Sequence, residues 1–302
     1  MRPVTTIRTG LVAAVAVSLA LTGCGEDTET TSGEGTGSPP VSVTADSEFA
    51  ALVPESVAED GVLVVATDAS YAPNEFFDED NETLVGMTID LGMALGEALG
   101  VEVQFENSPF DSIIPGLESG KFELGMSSFT INPERMEVVD MVSYFVAGTS
   151  WAAPADNPEA VSPENACGKK VAVQKATVQV EDITARSEEC LAGGKAEITI
   201  DQYTLQSDAT TAVVAGKDDA MLADSPVVAY AVKQTGGQLE VIGDSYDDAP
   251  YGIAVPKADP DFAKAVQGAV QALIDGGRYT EILDEWGVTD GAVETADLNP
   301  VP

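Results

Sequence analysis

At 302 residues and 44% hydrophobic composition, the chain has length for two domains plus a tail and enough apolar side chains to bury their cores, which excludes a disordered protein. Lys and Arg number 14 against 51 Asp and Glu, and the resulting net charge of −37 repels phosphate backbones, which excludes nucleic acid as a partner. Histidine is absent, which removes Ser-His-Asp and Cys-His catalysis and the usual zinc ligand sets, and leaves an enzyme only carboxylate, Lys or Tyr chemistry.

Arg2 and Arg8 precede an apolar run over residues 11–21 that is too short for a membrane span of about 20 residues. The run ends in Leu21-Thr22-Gly23-Cys24, which resembles the lipobox of bacterial lipoproteins. That resemblance implies a signal peptide over residues 1–23 and a diacylglycerol on the sulfur of Cys24. It places the protein outside the cytoplasm, held to the outer face of the cell membrane only through its lipid, since two acyl chains anchor where one is marginal. An ordinary signal peptide before an incidental cysteine is the alternative. Residues 24–56 begin with a stretch rich in Gly, Ser, Thr and acids and read as a flexible tether.

Residues 61–67 are a continuous apolar run, as a buried parallel strand requires. Helical spacing follows over 87–99, with Gly100 placed to end it, and then an alternating strand over 101–105. Strand, helix and strand at this spacing form a βαβ unit. A short helix over 110–117 and a strand over 122–126 come next. Ala155-Asp156-Asn157-Pro158 marks a boundary. A second set begins there: strands at 170–174, 196–200, 219–222 and 239–242, with helices at 178–187, 205–215 and 226–233. One more strand lies at 251–255. Asp259 and Pro260 then open a helix whose apolar face carries Phe262, Val266, Val270, Leu273 and Ile274, and Gly276-Gly277 ends it. A last helix at 279–286 suggests that the C-terminus returns to the first set. Cys167 and Cys190 are 23 residues apart, and in an exported protein such a pair bridges; two free thiols are the alternative.

Between Arg8 and Lys169 the only basic residues are Lys121 and Arg135. A region cleared of cations has kept Arg135, after Ser127-Ser128-Phe129-Thr130-Ile131-Asn132-Pro133-Glu134. In an extended segment the hydroxyls of Ser128 and Thr130 share one face. Arg135 can then grip a carboxylate with its planar fork, or pair on the surface with Glu134, Glu137 or Asp140; the residues alone favour neither. No Gly-rich phosphate loop and no metal-ligand cluster is present, so neither cofactor nor metal is expected.

Residues 58 to 290 resemble the family 3 extracellular solute-binding proteins, the amino-acid receptors of ABC transporters. The matching pieces are Thr67 to Pro73, Val85 to Leu91, Phe110 to Leu117, Ser127 to Arg135, Val171 to Gln174 with Thr177 and Gln179, and Gly216 to Ala220 followed by Asp224. The resemblance implies an α/β, two-lobed periplasmic-binding-protein fold of type II with two crossing hinge strands. Lobe 1 would be residues 57–150 plus 248–302, and lobe 2 residues 151–247. Carried over by position, Arg135 binds the ligand α-carboxylate, with Ser127, Ser128, Thr130 and the Thr177 turn adding hydrogen bonds. Asp224 pairs with the α-ammonium, Tyr71 and Phe110 sandwich the aliphatic part, and Asp68 meets the distal polar group. The plainer alternatives are core aromatics for Tyr71 and Phe110 and a helix N-cap for Asp224. Glu75 points either into the cleft or to solvent.

Two positions depart from the family pattern. Ala176-Thr177-Val178 stands where relatives have Gly-Thr-Thr, and Asn74 replaces an aromatic. Asp68, with Glu75, disfavours an acidic ligand side chain, so a polar or basic amino acid is expected. The implied function is the substrate-binding component of an amino-acid ABC importer, a monomer and not an enzyme, with the permease as its membrane partner. The alternative is a dehydratase-like enzyme on the same fold, for which Glu75 is the one candidate acid. A one-chain sensor is disfavoured, since nothing after Val288 could span a membrane.

Overall fold

A computed structural model of the chain describes residues 45–301; Cys24 and the segment before residue 45 lie outside the described residues. The described part opens with α1 (Ser47–Ala50) and α2 (Glu55–Asp60). Asp46 caps α1 by accepting from Glu48 N at 2.8 Å. Phe49, Leu52 and Val53 pack against the core. The stretch read as tether therefore contributes apolar side chains from Phe49 onward.

The chain continues through β1 (Val62–Thr67), a small meander of β2 (Ser70–Tyr71), β3 (Glu75–Phe77) and β4 (Leu84–Val85), then α3 (Met87–Leu99), β5 (Glu102–Asn107), α4 (Phe110–Glu118), β6 (Leu124–Thr130) and α5 (Pro133–Val138). A long strand, β7 (Val139–Pro154), leads to β8 (Lys170–Gln174), α6 (Val178–Ala192), β9 (Thr199–Tyr203), α7 (Gln206–Val214), β10 (Ala220–Asp224) and α8 (Ser225–Gln234). A second long strand, β11 (Leu239–Pro256), returns to α9 (Pro260–Gly276) and α10 (Arg278–Trp286).

Eight strands form one sheet in the order β5-β1-β6-β11-β7-β10-β8-β9. β1 pairs in parallel with β5 and β6, and β8 in parallel with β9 and β10. Between these two parallel ends, β7 and β11 run antiparallel to each other. Two long strands thus cross between two α/β halves. The register of β7 with β11 shifts between Ile242 and Tyr246 and again before Ala249, so each strand changes halves through an irregular segment. The expected strands at 239–242 and 251–255 are the two ends of β11, joined by this segment.

Each half has its own core. The first is built on Leu63, Val65, Leu91, Leu95 and Phe262, and the second on Trp151, Val171, Val173, Ile183 and Leu222. Tight helix-on-strand packing is written into the sequence at Gly92, where a Cβ would meet the Phe105 ring, and at Gly96, where it would meet Val103. Gly100 ends α3 in the left-handed region at φ 75°. Asp259 caps α9 by accepting from Phe262 N at 3.1 Å. The tail does return to the first half: Leu298 bridges Val142, and Asn299 N donates to Met141 O at 2.7 Å. Cys167 and Cys190 form a disulfide with a Cα–Cα distance of 5.6 Å, tying the end of α6 to the loop before β8.

Candidate functional site

The parallel ends of the sheet present their C-terminal edges to one crevice, where open α/β sheets place their sites. Arg135 enters it because Asn132 caps α5, accepting Arg135 N at 2.8 Å, and Pro133 sets the first turn. The guanidinium lies 5.4 Å from the Phe110 ring centre and 5.5 Å from that of Phe129, and the two rings stack at 4.8 Å. Nη1 donates to Thr130 O at 2.7 Å, and Nη2 donates across the crevice to Ala176 O at 3.1 Å. Arg135 is 9% exposed. It has no ion-pair partner among the described residues, Glu134, Glu137 and Asp140 included. Burial lowers its pKa, and the Asp224 charge opposes that shift. A guanidinium stays charged regardless, with N–H groups to spare beyond the two in use.

Opposite Arg135, β8 ends in Gln174 and the chain turns through Ala176 at φ 60° into α6. Thr177 is the N-cap of α6 by position but its hydroxyl donates backward to Gln174 O at 2.8 Å. The first turn of α6 is thus without a side-chain cap, and it meets the crevice through Thr177, Val178 and Gln179. An uncapped helix N-terminus beside a guanidinium is an anion site in electrostatic terms.

Asp224 lies at the end of β10. It is the N-cap of α8 by position, yet its side chain makes no cap bond. Oδ1 accepts from Gln179 Nε2 at 2.7 Å, and Oδ2 from Tyr251 OH at 2.7 Å. Tyr71 OH accepts from the Asp224 backbone N at 3.1 Å. Burial pushes the Asp224 carboxyl up, while the hydrogen bonds from Tyr251, Tyr71 and Gln179, and the Arg135 charge, pull it down.

Asp68 follows β1 and is 2% exposed. Its Oδ1 accepts from Ser70 Oγ at 2.6 Å, and its Oδ2 from Phe110 N at 2.9 Å and from Gln174 Nε2 at 3.2 Å. Ser127 Oγ accepts from Asp68 N at 3.0 Å. All these donors are neutral, and burial raises the Asp68 pKa.

These groups surround one small cavity between the halves. All nine expected residues line it: Asp68, Tyr71, Phe110, Ser127, Ser128, Thr130, Arg135, Thr177 and Asp224. Gln174, Val178 and Gln179 complete it. Both glutamines stand in segments that the family resemblance matched, and their position after a buried strand and in a first helical turn was the available signal. Ser128 departs from the extended geometry assumed for it. Its φ is 50°, and its hydroxyl accepts from Asn74 Nδ2 at 3.0 Å and donates to Glu75 Oε2 at 3.1 Å. Glu75 faces neither cleft nor solvent: it is fully buried and does not line the cavity. Burial holds its carboxyl well above the usual range, against the pull of the Thr88 and Ser128 hydroxyls. No group of three or more metal-ligating side chains occurs among the described residues.

The model of the bacterial extracellular solute-binding proteins, family 3, matches residues 63–289. An arginine-binding protein, ArgT, of Corynebacterium glutamicum is 40% identical over 256 residues, covering 84% of each chain. An ancestral arginine-binding protein solved with arginine superposes with a TM-score of 0.70 at 32% identity, covering 75% of this chain and 98% of that one. An ancestral amino-acid-binding protein described as a precursor of cyclohexadienyl dehydratase superposes at 0.67 with 33% identity, over 77% and 98%. With its two halves, its crossing strands and its crevice, the chain belongs to the bacterial extracellular solute-binding proteins of family 3.

Proposed function

We propose that this chain captures a free basic amino acid, arginine in particular, between its halves and delivers it to an ABC importer. The observation that carries the reading is the charge inventory of the cavity: one cation, Arg135, and two carboxylates, Asp68 and Asp224. A zwitterion satisfies Arg135 with its carboxylate and Asp224 with its ammonium, which leaves Asp68 for a second positive group. A neutral side chain leaves Asp68 without a counter-charge, and an acidic one repels it. The arginine-binding relatives support this choice. Phe110 and Tyr71 line the space between the poles and suit the aliphatic stem of such a ligand.

In this reading residues 57–150 with 248–302 form one lobe, residues 151–247 form the other, and β7 and β11 are the hinge. Only the closed form contacts both ends of the ligand, so binding shifts the open–closed equilibrium. The protein works as a monomeric receptor anchored through Cys24 and performs no chemistry. Glu75, the one candidate acid for a dehydratase, lies outside the cavity and is committed to Ser128, which disfavours the enzymatic reading.

Thermal denaturation of the purified protein against the proteinogenic amino acids tests this. Arginine at about a hundred times its Kd should add about 2.7 kcal/mol of stability, visible as a higher Tm. Stabilisation by glutamate or aspartate with none by arginine, lysine or histidine would overturn the ligand class. Turnover of an amino or keto acid followed by mass spectrometry would overturn the receptor reading.

A further inference from the structure

Helix α7 begins without a cap of its own. Its N-cap position is the apolar Leu205, which makes no side-chain cap bond. The N–H of Gln206, the first residue of the helix, is satisfied from the other half of the molecule: Ser70 Oγ accepts it at 3.0 Å. Ser70 lies on β2, two residues after Asp68, and donates its single hydroxyl proton to Asp68 Oδ1 at 2.6 Å. With the proton given to the carboxylate, only lone pairs face Gln206. The three groups therefore form a directed chain from amide to hydroxyl to carboxylate, in which each bond polarises the next. The positive end of the α7 dipole lies at its head and the Asp68 charge at its foot.

We propose that Ser70 is a positioning residue that couples the charge on Asp68 to closure by capping α7 across the cleft. This rests on the amino-acid-binding reading above and names the link by which a distal cation is sensed. Ser70 does not line the cavity. Its bond to Gln206 joins segments 136 residues apart and exists only while the two halves meet. A cationic group at Asp68 keeps the carboxylate ionised and so keeps the hydroxyl proton directed toward it. The lone pair then stays available to α7. A neutral distal group gives weaker support to the same chain.

The test measures arginine and glutamine binding by calorimetry, and arginine release by stopped flow, for the wild type, Ser70→Ala, Ser70→Thr and Gln206→Pro. Proline suits the first turn of a helix and removes the N–H, and Leu205 at φ −112° and ψ 137° already has the conformation that precedes proline. Gln206→Ala, which keeps the N–H and removes only the buried side chain beside Met221, is the control for the side chain lost to proline and should release arginine at the wild-type rate. In Ser70→Ala, arginine release should quicken about tenfold, as for a lost charge-assisted hydrogen bond, with glutamine affinity falling by about threefold or less. Ser70→Thr should stay within about twofold of wild type. Gln206→Pro should match Ser70→Ala, and the double variant should lose no more than either alone.

The coupling is refuted if wild type binds arginine while Ser70→Ala and Gln206→Pro release it at the wild-type rate, if arginine and glutamine weaken equally, or if the Ser70→Ala/Gln206→Pro double variant is additive. Gln206→Pro decides the matter if Ser70→Ala does not fold. Wild-type protein that binds neither amino acid refutes the proposed function itself, and the coupling with it.

Discussion

Two arginines of this molecule each stand over two aromatic rings, one in each half, and differ in burial and in whether a carboxylate pairs with them. Arg186 lies 4.9 Å from the Tyr246 ring centre and 5.9 Å from that of Trp151, and donates to Pro163 O at 2.9 Å. Its Nε reaches both oxygens of Asp182, at 2.9 and 3.1 Å, and Tyr246 OH completes the shell of that carboxylate at 2.6 Å. Arg135 also stands over two rings and donates to carbonyls, yet no carboxylate comes within ion-pair distance among the described residues. It is the more buried of the two, so its unpaired charge is the more costly. Arg186 is complete and holds a structure together. Arg135 pairs with no carboxylate among the described residues, and in the proposed function its anionic partner is the ligand carboxylate.

The largest effect expected from this contrast is on binding. Arg135→Ala should weaken arginine by at least about a hundredfold in calorimetry, since it leaves a desolvated carboxylate unpaired. Arg186→Ala should leave Kd within about twofold and lower stability by about 1–2 kcal/mol, a modest figure because the pair is partly exposed. If Arg186→Ala abolished binding instead, the distinction between the two arginines would be lost.

The disulfide belongs to the Arg186 side of the comparison. Replacing Cys167 and Cys190 together by Ser should cost about 3 kcal/mol in denaturant unfolding, from reopening a loop of 23 residues, with arginine affinity unchanged.

A smaller change is expected at the distal pole. Asp68→Asn should reduce arginine affinity about tenfold and glutamine affinity by less, because only the former brings a charge to position 68. Equal losses for both amino acids would place the distal group elsewhere in the cavity.

The smallest effect concerns Glu75. Burial holds its carboxyl well above the ordinary value of 4.5, so above that pH the folded state binds more protons than the unfolded one. The stability linked to this group is therefore fully present below pH 4.5 and is lost as pH rises through the raised folded-state pKa. Glu75→Gln should flatten that part of the profile. The Tm difference, variant minus wild type, should increase from about pH 5 to about pH 8. A constant difference would mean that Glu75 titrates normally.

Much of the fold was legible because its signals are local. The spacing of Ile89, Leu91 and Leu95 and the following Gly100 marked α3 to the residue, and Asp259-Pro260 marked the start of α9. Strand limits were less legible. The strand expected at 122–126 is β6 at Leu124–Thr130, because ladder pairing with Tyr251 and Gly252 carries it further than its own side chains indicate. Ser128 lines the cavity, but a left-handed φ that no local pattern marks sets its hydroxyl between Asn74 and Glu75.

The amino-acid sequence by itself determined the two α/β sets, the cysteine pair, the lone guanidinium at 135 and the motif positions that line the cavity. The first three follow from neighbours within a turn or two, or from residue types that stand out against an acidic background, and the motif positions follow from the family resemblance. Only the tertiary structure decided which of these groups meet. Gln174 reaches Asp68 over 106 residues of chain, Ser70 reaches Gln206 over 136, and Tyr71 reaches Asp224 over 153. Such contacts leave no local pattern, because they arise when β7 and β11 fold the two halves over one crevice and each half must satisfy the buried polar groups of the other.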